Sequence, residues 1–258
     1  MRKPAFILLG VVCCLANLSA VSAAEIRVLS GGNMFPILNE LRGTFEKSSG
    51  HNLTIEYMGA AQLQNRIQNG EAADAIVVIE TYSELLAKAG KIEPATRVAN
   101  SSVGVVVKAG APKPDVSNGE ALKRTLLAAK SVAYGDPSIG SPIGIFFAGL
   151  IERLGIAMEM MAKAKLQTGS PPMGGAAPSE AVVKGEAELG VGQVSELMTV
   201  PGVDFVTPIA TELQQFKAEV SAAVVKGSRE PQAAAAFIKF LVSPEAARVI
   251  RAKGMQPG

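Results

Sequence analysis

Short β-branched and apolar runs recur along this chain, each followed by apolar residues at helical spacing. That alternation admits few folds: βα units whose strands form mostly parallel sheets with helices packed on their faces. Ile26 to Ser30 reads as the first strand. Met34, Ile37, Leu38, Leu41 and Phe45 then follow at the period of an amphipathic helix, which Gly50 ends. Leu53 to Tyr57 is a second strand, and Leu63 and Ile67 mark a helix closed by Asn69-Gly70. Ala75 to Ile79 is apolar throughout, as a strand covered on both faces would be, and a helix from Thr81 to Ala89 follows. Ser102 to Val107 is a further strand, and the region running from it through Ala109 to Pro114 is where the chain is expected to cross into a second lobe. The pattern resumes with helices at Leu122 to Ala129 and Pro142 to Leu154, and strands at Val132 to Tyr134, Leu189 to Gln193 and Val203 to Val206. Thr168 to Pro178, crowded with Gly and Pro, reads as irregular. A strand at Ala218 to Val225 and helices at Pro231 to Leu241 and Pro244 to Lys253 complete the chain. The expected fold is therefore α/β with two lobes, residues 25–100 with 208–258 forming one and 101–207 the other.

Residues 1–24 have a different character. Arg2 and Lys3 precede an apolar run from Phe6 to Leu15, and small residues from Ser19 to Ala24 follow, the three-part pattern of a cleavable export leader. Cleavage near Ala23 or Ala24 would release the remainder into the periplasm or another exported compartment. It would also remove Cys13 and Cys14, the only cysteines, so thiol catalysis and cysteine metal sites are not expected. Without Arg2 and Lys3 the 25 Lys and Arg become 23, equal to the 23 Asp and Glu. A neutral chain lacks the concentrated basic surface that nucleic acid requires.

In open α/β sheets, ligands sit at the carboxyl ends of strands, where helix N-termini present unpaired N–H groups. Four loops fit that position. Ser30-Gly31-Gly32-Asn33 joins the first strand to its helix, and Gly59-Ala60-Ala61 is small enough to offer only backbone N–H. The loop Gly135 to Gly144 places Ser141 as an N-cap before Pro142, Ile143 and Gly144. Gly192-Gln193-Val194-Ser195 ends a late strand. Several such N-termini converging would hold an anion without any basic side chain.

The chain resembles the periplasmic molybdate-binding proteins, class II solute-binding proteins of ABC importers. The motifs that carry the resemblance include Asn69-Gly70-Glu71-Ala72-Ala73-Asp74, Gly135-Asp136-Pro137 with Pro142-Ile143-Gly144-Ile145-Phe146, and Gly185-Glu186-Ala187-Glu188-Leu189-Gly190. The segment Ala235 to Pro244 and Gly254-Met255 add to it. The resemblance implies an exported, monomeric binding protein that captures a small anion between its lobes and passes it to membrane permease subunits. It also implies ligand contacts from Ser30, Gly31, Gly32, Asn33, Gly59, Ala60, Ala61, Ser141, Ile143, Gly144 and Gln193, with backbone donors near Ala176-Ala177. Three positions depart from the family's pattern: Asn33 and Ala60 or Ala61 stand where serines are expected, and Gln193 where a tyrosine is expected. Asn33 and Gln193 each offer a donor and an acceptor, so a carboxylate or another small polar solute fits as well as molybdate.

No enzymatic activity and no metal or other cofactor are expected, a periplasmic enzyme on the same fold being the alternative. His51, the single histidine, reads as a solvated turn residue, and Asp136 as a turn-shaping one. Glu80 and Glu196, at strand ends, are the remaining catalytic candidates. Met158, Met160 and Met161 read as helical core packing.

Overall fold

The computed structural model of the chain describes residues 23–169, 174–213 and 218–258. From the amino end run β1 (Glu25–Gly31), α1 (Phe35–Ser49), β2 (Asn52–Met58), α2 (Ala60–Gln68), β3 (Ala75–Ile79), α3 (Glu80–Lys88) and β4 (Thr96–Ser101). After them come β5 (Val103–Lys108), α4 (Gly119–Ala128), β6 (Val132–Gly135), α5 (Pro142–Arg153), α6 (Ala157–Met161) and β7 (Ala164–Gln167). Next are α7 (Ala177–Val183), β8 (Leu189–Gln193), α8 (Val194–Leu197) and β9 (Val203–Pro208). The last elements are β10 (Ala218–Val224), α9 (Pro231–Leu241), α10 (Pro244–Ala252) and β11 (Gln256–Pro257).

The strands form two sheets, one of order β11-β4-β10-β3-β1-β2 and one of order β7-β6-β8-β5-β9. Both are flanked by helices, giving the two-lobed α/β class. The strand sense is more mixed than the βα pattern implied. β1 is parallel to β2 and β3, but β10 is antiparallel to β3 and β4. In the second sheet β6 is parallel to β7 and β8, while β5 is antiparallel to β8 and β9. At Ser102 the chain changes sheets, β4 of the first passing into β5 of the second through one residue.

Alternate residues of the central strands feed two apolar layers. Val77 of β3 packs with Ile26, Ile37, Phe45 and Phe237, whereas Ile76 and Val78 pack with Leu29, Leu63 and Leu86 across the sheet. This is why the run from Ala75 to Ile79 is apolar at every position. In the second lobe Val105 and Val191 join Phe147 and Leu150 on one face, and Val106 joins Ala181 and Leu197 on the other.

Local devices hold the loops between these layers. Ser141 Oγ accepts the Gly144 N–H at 3.2 Å at the start of α5, and Asp136 accepts the Ser138 N–H at 2.8 Å, shaping its turn as expected. Asp74, buried before β3, accepts from Arg27 N–H at 2.9 Å, Ser228 Oγ at 2.7 Å and Arg229 N–H at 3.0 Å, tying β1 to the approach to α9. Burial opposes its ionisation, but these hydrogen bonds outweigh that and lower its pKa.

Three expectations change. His51 is buried, not solvated: its Nδ1 accepts the Ala24 N–H at 3.1 Å and its ring lies 6.4 Å from that of Phe45. Of the three methionines only Met160 is in the core, since the short α6 turns Met158 and Met161 outward, 83% and 80% exposed. The Gly- and Pro-rich stretch holds α7 from Ala177 onward, with Pro178 in a first helical turn where its missing N–H costs nothing. Residues 170–173 of that stretch, and residues 1–22 of the segment expected to be an export leader, lie outside the described residues. Among the described residues no helix is long and apolar enough to cross a membrane.

Candidate functional site

The carboxyl ends of the parallel strands of both sheets face one cleft of about 530 Å³. β1 delivers Gly31, Gly32 and Asn33 to it, β2 delivers Gly59 to Gln62, and the β3–α3 junction adds Ile79 and Tyr82. From the other side come Gly135 at the end of β6, Ser141 to Ile143 at the start of α5, Gln167 at the end of β7 with Thr168 and Gly169 beyond it, and Gln193 and Glu196 at the β8–α8 junction. The loops singled out by spacing alone thus come together from both lobes.

Two expected contact residues stand behind the wall. Ser30 is fully buried and its hydroxyl donates to the Gly31 carbonyl at 3.1 Å. Gly144 is packed on Gly135, where a side chain would overlap the Gly135 carbonyl, and its N–H is already given to Ser141. Glu80 is also turned away, ion-paired with Arg97 at 3.2 Å.

Among the described residues no Lys or Arg lines the cleft. Positive potential comes from helix N-termini. Leu63 N–H is the first in α2 to bond back, to Gly59 O at 3.0 Å, so the amides of Ala60, Ala61 and Gln62 have no acceptor within the helix, and Gly59 supplies no side-chain cap. α5 and the 3₁₀ turn Gly32–Met34 before α1 open onto the same space.

The lining carboxyl group is Glu196, and it is buried, at 7% exposure. Desolvation pushes its pKa up to about 7 against the opposing pull of a hydrogen bond donated by the Gly175 N–H. Gly175 belongs to the 3₁₀ turn Gly174–Ala176, and any side chain on it would overlap both carboxyl oxygens of Glu196. A carboxyl group with its pKa near neutrality, held at the edge of a ligand-sized cleft, can take and return a proton. The sequence makes Glu196 a catalytic candidate by its place at a strand end. What it does not show is the approach of Gly175, 21 positions earlier in the chain, which no local pattern records.

Two carboxamides complete the walls. Asn33 is 7% exposed and Gln193 2%, and Asn33 Nδ2 and Gln193 Oε1 are buried without a hydrogen-bond partner. Asn33 Oδ1 lies against Gly31, 2.8 Å from where a side chain would begin. The Asn33 carbonyl accepts Ser195 Oγ at 3.3 Å, a direct link between the lobes. Among the described residues no cluster of His, Cys, Asp and Glu could hold a metal ion.

The family model for bacterial extracellular solute-binding proteins matches residues 26–256. The chain belongs to that family. This extracellular solute-binding protein is 34% identical over 248 residues to a protein of a Pseudomonas species named aconitate isomerase, covering 93% of this chain and 90% of the relative. It is 26% identical to the molybdate-binding protein ModA of Azotobacter vinelandii over 257 residues, covering 95% and 93% of the two chains. The solved structure of an Azotobacter vinelandii periplasmic molybdate-binding protein superposes with a TM-score of 0.70 at 21% identity, covering 90% of this chain and 98% of that one. The first of these relatives overturns the expectation that the chain is not an enzyme. Membership of a solute-binding family does not separate binding from catalysis, because a relative matched over nearly its whole length carries an isomerase's name.

Proposed function

We propose that this protein isomerises a small unsaturated polycarboxylate, aconitate or a close analogue, in the cleft between its lobes. The single observation that carries the reading is Glu196: a carboxyl group with its pKa near 7, lining a cleft otherwise furnished with backbone donors. The name of the Pseudomonas relative supports the choice of substrate.

Moving the double bond of such a substrate needs no oxidant, reductant or added atom. Ionised Glu196 removes a proton from the methylene carbon next to the double bond. The C–H electron pair forms the new carbon–carbon double bond, and the old one delivers its pair towards the adjoining carboxylate. Glu196 then returns the proton to the former vinylic carbon. Charge building on the carboxylate oxygens in between would be met by the N-terminal amides of α2 and α5, preorganised donors in a partly dry site. A pKa near 7 keeps both forms of Glu196 populated at neutral pH, which a group acting in turn as base and acid requires.

The test is to incubate purified protein with trans-aconitate or cis-aconitate in deuterated water and follow both isomers by proton NMR. Interconversion with deuterium entering the methylene position is expected, and Glu196→Gln should slow it by roughly 10²–10⁴-fold. Absence of exchange and interconversion with either isomer would sink the reading.

Family membership favours a second reading, capture of a small anion for delivery to importer permease subunits. There the lobes, taken as residues 25–100 with 208–258 and residues 101–207, would close on the ligand as a monomer by hinge motion. Tight molybdate binding without turnover of aconitate would select it.

A further inference from the structure

Buried polar atoms without partners are rare in folded proteins, and each calls for a cause. Among the described residues three side-chain atoms are in this state: Asn33 Nδ2, Gln193 Oε1 and Ser101 Oγ. Ser101 ends β4 at the crossing between sheets and does not line the cleft. The other two residues do, one from each lobe, and both are more than nine-tenths buried. They differ in chemical sense. Asn33 Nδ2 is a donor that awaits an acceptor, as any anion supplies. Gln193 Oε1 is an acceptor that awaits a donor, and a fully ionised oxyanion has none.

We infer that Asn33 and Gln193 together set specificity for an organic acid that carries both an ionised carboxylate and an O–H group, and that they discriminate against fully ionised tetrahedral oxyanions. The inference rests on the cleft being the ligand site of the proposed function. With their side chains turned into the cleft, both groups would be satisfied at once by a partly protonated polycarboxylate, its carboxylate oxygen accepting from Asn33 Nδ2 and its acid O–H donating to Gln193 Oε1. Molybdate, tungstate or sulfate would satisfy Asn33 and press oxygen lone pairs against Gln193, leaving a buried acceptor unpaired and facing negative charge. One missing hydrogen bond of this kind is a difference of about three- to tenfold in affinity, and the added repulsion enlarges it.

Calorimetric titration with tricarballylate, the saturated tricarboxylate that cannot isomerise, and separately with molybdate, tungstate and sulfate, tests this at mildly acidic pH. Tricarballylate is expected to bind the native protein at least tenfold more tightly than any of the three oxyanions. Gln193→Met, similar in length but without the acceptor, should weaken tricarballylate and bring the ratio towards one. Asn33→Ala should weaken every ligand, since each would lose the same donor. Thermal midpoints of the unliganded variants show whether they fold. Gln193→Met should match or exceed the native protein, because it removes an unpaired buried acceptor, and Gln193→Leu serves as a second variant should Gln193→Met not fold. An oxyanion that binds the native protein as tightly as tricarballylate overturns the inference, as does an unchanged ratio in a folded Gln193 variant. Selective tricarballylate binding without aconitate turnover would leave this inference standing and remove the isomerase reading; turnover with an unchanged ratio would do the reverse.

Discussion

Glu196 connects solution behaviour to a single side chain. Between the ordinary glutamate value of 4.5 and about 7 the folded protein holds a proton at Glu196 that the unfolded chain releases. Stability from this group is therefore greatest below the lower value and declines as pH rises to the upper one. Thermal midpoints recorded across that interval should fall for the native protein more than for Glu196→Gln, and equal slopes would contradict the burial described above. Gly175→Ala tests the same site from the other side. An added methyl group would overlap the Glu196 carboxyl oxygens, so the proposed isomerisation should drop at least tenfold while the circular dichroism spectrum stays native. The residue type at 196 was legible in the sequence, but its environment was not: burial of a carboxyl group is set by which distant backbone closes over it. Asn33 and Gln193 were more legible, because one lies two residues past the end of β1 and the other ends β8, so each needs only its strand to be placed correctly.

Elements with a strong local signature were read closely. β3, β8 and α9 have the boundaries that apolar runs and proline at the first helical turn indicate. β4, β7 and β11 were missed for a common reason: none carries an apolar run or clean alternation. β7 is the edge strand Ala-Lys-Leu-Gln with its two central residues exposed, and β11 spans two residues. Their pairing comes from neighbours that the tertiary fold brings alongside, which outweighs weak propensity. Asp74 illustrates how such elements are fastened, joining β1 to the start of α9 across more than 150 residues. Asp74→Ala should cost roughly 2–4 kcal/mol in urea unfolding, since it strips several buried donors of one charged acceptor. Ser141→Ala should cost about 1 kcal/mol through the lost cap of α5, a smaller change at an element that also frames the cleft.

For the molecule as a whole, ligand and stability are coupled through the two-lobed shape. Since the cleft draws its donors from both sheets, a bound acid ties them together, and saturation at about 100 times Kd should add about 2.7 kcal/mol to unfolding free energy. Tricarballylate should raise the thermal midpoint of the native protein accordingly, and a midpoint indifferent to saturating ligand would argue against binding between the lobes. The strand order carries one more consequence. β10 lies in the middle of the first sheet, hydrogen-bonded to β3 on one side and β4 on the other, although it is formed by residues 218–224. A nascent polypeptide lacking that stretch has a gap between β3 and β4 and cannot finish its amino-terminal half, however long it waits. The inserted half, whose five strands are all made earlier, is free to mature first, so synthesis or threading through a narrow channel leaves the outer half open until residues 218–224 emerge.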